Sequence, residues 1–177
     1  MQRGCFGTEA AISGHQINER FVLLELQTVR LVEDVALIPG SVLTVEAGGI
    51  GNEIPVVESL LLAGRAITPL PPVHATGCEM ADGSVNLNWV RRSRIDFGWN
   101  DGVEQPTPED GEQYSVSVFA GGQVINSWIT QESAFSLSSA TVADLVAVTG
   151  PALTFSIRQI GRYMQSAPAT IKVIVTP

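Results

Sequence analysis

Residues 85–90, Val-Asn-Leu-Asn-Trp-Val, put Val85, Leu87 and Trp89 on one side of an extended chain and Asn86 and Asn88 on the other. Successive side chains of a strand leave opposite sides of the backbone, so a period of two marks a strand with one buried face. The alternation returns in Tyr114-Ser115-Val116-Ser117-Val118-Phe119. It returns again over residues 153–160, where Leu153, Phe155 and Ile157 oppose Thr154, Ser156 and Arg158. Residues 73–78, 123–130, 133–137 and 170–175 read as four further strands, the first of them weak. Turn chemistry separates them, with Asp82-Gly83 and Gly121-Gly122 as the clearest hairpin signals. Seven short strands in about a hundred residues predict an antiparallel two-layer sandwich, and the chain reads as all-β.

One segment departs from that period. Thr141-Val142-Ala143-Asp144 resembles a capping box with Asp in place of the usual Glu, Leu145, Val146 and Val148 follow, and Gly150-Pro151 stops it. The expectation is a helix of one to two turns crossing between the sheets.

Thr68-Pro69-Leu70-Pro71-Pro72 carries three prolines in four positions, which neither a helix nor a central strand accommodates. A stiff connector is expected there, dividing the chain into domains 1–69 and 70–177. In the first, residues 9–12 suit a short helix and residues 20–25 a buried strand. Residues 41–47 suit a second strand, Gly48-Gly49-Ile50-Gly51-Asn52 a turn, and residues 54–62 a strand pairing back. This predicts a small β-rich unit that lacks part of its sheet and has an open edge, which packing against the second domain would protect. Arg3-Gly4-Cys5-Phe6-Gly7-Thr8-Glu9 reads like domain interior, so a segment of a longer chain is expected.

Charge narrows the function classes. Lys+Arg is 10 against 18 Asp+Glu, a net −8 over 177 residues, and Lys172 is the sole lysine. The excess of cations that displaces counterions from phosphates is missing, so nucleic acid and anionic membrane surfaces are disfavoured as partners. No apolar run approaches the length of a membrane span, and the N-terminus lacks a signal peptide's apolar stretch. Cys5 and Cys78 are too few for a disulfide scaffold and form no C-x-x-C; they read as reduced, partly buried thiols.

Catalytic patterns are sparse. Gly48-Gly49-Ile50-Gly51 lacks the lysine of a P-loop and the following helix of a dinucleotide fingerprint, so it reads as a hairpin turn. His15 and His74 stand in no recognisable triad, and the G-x-S-x-G elbow is absent. The insertion 95–112 carries Asp96, Asp101, Glu104, Glu109, Asp110 and Glu112. Calcium would suit such carboxylates, but their spacing is not that of an EF-hand, and a flexible loop does not fix a glycosidase pair. A solvated acidic loop is the plainer reading. Arg91-Arg92-Ser93-Arg94 precedes it and Trp99 lies within it, so internal bracing by ion pairs and cation–π contact is expected. Arg94, Trp99 and Asp101 are the candidate surface-contact residues.

Pro71-Pro72-Val73-His74, Asp82-Gly83 and Val85-Asn86-Leu87-Asn88-Trp89-Val90-Arg91-Arg92-Ser93-Arg94 resemble the C-terminal fibronectin type III-like module of phage-tail hub proteins. These are the large tail-tip or baseplate proteins of gene transfer agents and siphophage-like prophages. Arg3-Gly4-Cys5-Phe6-Gly7-Thr8-Glu9 and Glu19-Arg20-Phe21-Val22-Leu23-Leu24 resemble the segment preceding that module, so the resemblance spans nearly the whole chain, with residues 89–94 its most specific part. It implies a seven-stranded fibronectin type III-like (Ig-like) sandwich behind a β-rich hub end. It further implies a virion structural protein made in the bacterial cytoplasm and placed at the tail tip, trimeric in the full assembly, bound to other tail and baseplate proteins. No catalytic residue and no cofactor come with it.

The alternative is a carbohydrate-binding β-sandwich in which Trp99, Arg94 and the acidic loop hold a sugar, such as a host-surface glycan. The first reading expects residues 1–69 to be completed by upstream sequence; the second expects an exposed Trp99 beside convergent polar groups.

Overall fold

In a computed structural model the described residues are 14, 16–19, 38–48, 51, 54–95 and 106–176. The expected helix at 9–12 and strand at 20–25, together with Cys5, His15, Trp99 and Asp101, lie outside them. The chain divides into two compact units, Met1–Ile67 and Thr68–Pro177.

In the first unit, strand β1 (Val42–Ala47) pairs antiparallel with β2 (Val56–Leu61), Val42 opposite Leu61 and Ala47 opposite Val56. Ser41 closes the open end: its hydroxyl donates to Ile38 O at 2.7 Å, and its carbonyl accepts from Leu62 N at 2.9 Å. A 3-10 turn, Arg65–Ile67, ends the unit.

The second unit is a sandwich of seven described strands. Strands β3 (Val73–Glu79), β4 (Val85–Val90) and β7 (Ala134–Leu137) form one sheet in the order β3-β4-β7. Strands β5 (Tyr114–Ala120), β6 (Gln123–Thr130), β8 (Ala152–Gln159) and β9 (Ala169–Ile174) form the other in the order β6-β5-β8-β9. Every pairing is antiparallel. In sandwich lettering this is A-B-E facing C′-C-F-G, the fibronectin type III-like arrangement.

The core follows from the alternation. Val85, Leu87 and Trp89 of β4 face Tyr114, Val116 and Val118 of β5 and Leu153, Phe155 and Ile157 of β8, all buried in one cluster. Each such side chain contributes roughly 1.5–3 kcal/mol by leaving water. Gly77 lets β3 approach the other sheet: a Cβ there would lie 2.6 Å from Val173 Cγ2 and 2.8 Å from Leu87 Cδ2. Asp82-Gly83 makes the β3–β4 turn, with Gly83 at φ +80 and the Asp82 carboxylate accepting from Ser84 N at 3.0 Å and Ser84 Oγ at 2.6 Å. Those bonds hold the Asp82 carboxyl below its ordinary value.

Three details differ from the sequence reading. Helix α1 (Ser139–Thr149) runs eleven residues and is capped by Ser138, whose side chain accepts from Thr141 N. Thr141 therefore lies inside the first turn, and a helix of three turns replaces the expected one to two; a second hydroxyl one turn upstream satisfies the free N–H group first. Cys78 is exposed, because it alternates with Gly77 on the inner face. His74 sits where the β3–β4 register slips by one residue, with φ +51, so it occupies a β-bulge in the left-handed region.

Candidate functional site

The strand registers bring three connections to one end of the sandwich. Tyr114, which starts β5, lies opposite Thr130 at the end of β6 and Gln159 at the end of β8. The β4–β5 insertion, the β6–β7 link 131–133 and the β8–β9 turn therefore meet at a single pole. Backbone bonds stitch it together: Ile160 N donates to Gln113 O at 2.8 Å, and Trp89 N to Ser133 O at 3.1 Å.

Two carboxylates organise the pole. Glu109 is nearly sealed, its side chain 2% exposed. Arg94 Nε donates to its Oε1 at 2.9 Å, and Arg162 N donates to its Oε2 at 3.3 Å. Gly161 leaves it room: a Cβ there would lie 2.7 Å from Glu109 Oε2 and run into Pro69. A buried charge is tolerated when paired and hydrogen-bonded, and both conditions hold.

Glu112 gathers the second cluster. Its Oε1 accepts from Tyr114 OH at 2.8 Å and from Ser133 Oγ at 2.6 Å, and Arg91 Nε stands 3.7 Å from Oε2. Burial first, and then the hydrogen bond to the Glu112 carboxylate, push the Tyr114 hydroxyl up to about 12. Trp89 meets the Tyr114 ring edge-on, centroids 5.1 Å apart, and so links the pole to the core.

Ser93, also buried, ties together the two described ends of the insertion. Its hydroxyl lies 2.9 Å from Ile95 O and 2.7 Å from Pro106 O, and accepts from Ile95 N at 3.2 Å. In the β8–β9 turn, Ser166 accepts from Gln159 N at 2.9 Å and its carbonyl from Arg158 Nη1 at 2.7 Å. Arg162 projects from this turn with its guanidinium 5.4 Å from the Tyr163 ring centroid.

Between these connections lies an open cleft of about 380 Å³. Asp110, Gly111, Glu112 and Gln113 line one side; Gln131, Ile160, Gly161 and Arg162 line the rest. Asp110 and Arg162 are 4.0 Å apart and largely exposed, a pair contributing about 0–1 kcal/mol.

Of the three candidate contact residues, Arg94 turns inward to Glu109, and Trp99 and Asp101 lie outside the described residues. The same holds for Asp96 and Glu104. Among the described residues no three His, Cys, Asp or Glu side chains come together in a way that would hold a metal ion. Gln113, Gln131 and Arg162 escaped the sequence reading. They lie on three separate connections, and only the strand registers gather them.

No family model matches the chain, and no curated protein matches it. Solved structures resemble it in part, at low identity. The extracellular region of rat CD45, domains d3-d4, is 13% identical with a TM-score of 0.44, over 89% of this chain and 76% of that one. An Fn3-like protein from Clostridium thermocellum is 12% identical with a TM-score of 0.36, over 60% of this chain and 92% of that one. Titin kinase with its flanking domains is 15% identical with a TM-score of 0.42, over 62% of this chain and 17% of that one.

Proposed function

We propose that this chain is a structural module of a phage-type tail-tip or baseplate hub protein, acting by holding and touching rather than by turnover. In this reading it is a virion component, made in the bacterial cytoplasm, that joins other tail proteins, sits in a trimeric assembly and offers the loop-bearing pole to the host surface. It needs no cofactor.

The observation that carries the reading is how the pole is built. The residues most specific to the tail-hub resemblance, 89–94, are those that brace it: Trp89 against Tyr114, Arg91 beside Glu112, Ser93 across the insertion and Arg94 on buried Glu109. A rigid sandwich that clamps the base of a long insertion suits a module presenting a contact surface. Glu109 and Glu112 are committed to these bonds, which suits bracing better than proton transfer.

The test is to purify virion or transfer-agent particles from a bacterium carrying the gene and label them with an antibody against residues 68–177. Gold at the tail end distal to the capsid supports the proposal. Its presence in the lysate but absence from purified particles refutes it.

A further inference from the structure

The geometry points to a saccharide-binding cleft at the sandwich pole, with the Gln113 and Gln131 amides and the Asp110 carboxylate as its recognition groups and a neutral sugar as its ligand. This site stands apart from the tail reading and uses other residues than Arg94 and Trp99.

The space is adequate. About 380 Å³ falls within the roughly 300–1,000 Å³ usual for small-ligand sites, with room for one or two sugar rings. The lining selects the class. Ile160 is its one large apolar residue, so it lacks the desolvated aromatic or aliphatic anchor that peptides and lipophilic ligands require. Each charged group of the lining already faces an opposite charge, Asp110 against Arg162 at 4.0 Å and Glu112 against Arg91 at 3.7 Å, so the cleft holds no surplus cation to draw phosphate, sulfate and acidic sugars. A strongly hydrated neutral ligand that offers donors and acceptors together remains, and vicinal hydroxyls are that chemistry.

The two amides are unspent. The side chains of Gln113 and Gln131 make no hydrogen bond among the described residues, and each amide offers an acceptor oxygen and two donor hydrogens. Asp110, paired with Arg162 at 4.0 Å but 77% exposed, adds a carboxylate with acceptor capacity left over. The frame around them is fixed. Gln113 O is held by Ile160 N, Glu112 by Tyr114 and Ser133, and the turn bearing Arg162 by a 3.0 Å bond from Gly161 N to Met164 O. Groups carried on a fixed frame lose less entropy on binding. In immunoglobulin variable domains, too, binding loops cluster at one end of a sandwich.

The test uses the isotope-labelled full chain, titrated by NMR with glucose, galactose, mannose and N-acetylglucosamine, and with glucuronate and inorganic phosphate as charged probes. The expected result is a saturable, shared movement of the Gly111, Gln113, Gln131 and Gly161 amides with one of the neutral sugars. Gln131→Ala and Gln113→Ala each weaken that binding by about three- to tenfold while the thermal melt is unchanged. Gln131→Ala, at an exposed position of the β6–β7 link, decides the matter should Gln113→Ala alter the fold. Absence of saturable shifts with every neutral sugar, tighter binding of phosphate or glucuronate, or affinity indifferent to Gln131→Ala overturns the assignment.

Discussion

Arg94, just ahead of the inserted segment, and Glu109, near that segment's far end, meet at 2.9 Å, with the carboxylate almost wholly withdrawn from water. The pair fastens the insertion to the sandwich, and removing one partner strands the other. Arg94→Ala is expected to cost about 3 kcal/mol in urea unfolding, the low end for a broken buried pair because Arg94 keeps partial exposure. Replacing both together, Arg94→Met with Glu109→Leu, costs less than either single change, since no bare charge is left behind. A loss below about 0.5 kcal/mol for Arg94→Ala would remove the bracing role.

Tyr114 makes stability depend on alkaline pH. Its hydroxyl is raised from 10.0 to about 12, so the folded state holds that proton more tightly than the unfolded chain does. The corresponding stability is fully present below pH 10 and disappears as pH rises from 10 toward 12. The loss is about 2 kcal/mol: each tenfold gain in proton affinity is worth about 1.4 kcal/mol, and solvent screening near the hydroxyl trims the sum. Tyr114→Phe lowers stability at neutral pH by about 1–2 kcal/mol through the lost bond to Glu112, and flattens the unfolding free energy over that window. An unchanged slope between pH 10 and 12 in the variant would assign the effect elsewhere.

Gly77 tests how closely the two sheets approach. An added methyl meets Val173 and Leu87 inside van der Waals contact, so Gly77→Ala is expected to destabilise by about 1–3 kcal/mol. Gly111→Ala is the control: nothing lies within 4 Å of a Cβ at that position, and the change stays within about 0.5 kcal/mol. Equal melting temperatures for the two variants would contradict the packing.

His74 holds φ +51 in the β3 bulge, a conformation that disfavours a side chain. His74→Gly is expected to raise stability by up to about 1 kcal/mol, and His74→Val to lower it by about 1–2 kcal/mol, since a β-branched residue tolerates this region least. Differential scanning calorimetry reads both, and the opposite order would mean that the bulge is absent.

The alternating runs made most of the sandwich legible in advance. Val85-Asn86-Leu87, Tyr114-Ser115-Val116 and Phe155-Ser156-Ile157 each state which face is inward, because strand geometry ties the face to the parity of the position. Asp82-Gly83 announces its turn for an equally local reason, the low cost of positive φ at glycine. The helix start was legible only in part. Ser138 and Thr141 are both suitable caps, and the choice depends on which hydroxyl reaches a free N–H, a matter of three-dimensional placement.

Residue order alone was enough for most of the sandwich's strands, their turns and their inward faces, because those depend on neighbours one to four positions away. Which acid of the insertion is buried is a property of the assembled fold. Glu109 is chosen because Gly161 leaves space beside Pro69, Arg162 N donates to it and Arg94 arrives opposite, two bonds that span 53 and 15 positions along the chain. The polar cleft has the same origin. Gln113, Gln131 and Arg162 become neighbours only when β5, β6 and β8 lie in register, and burial and charge pairing exist only in that assembled space.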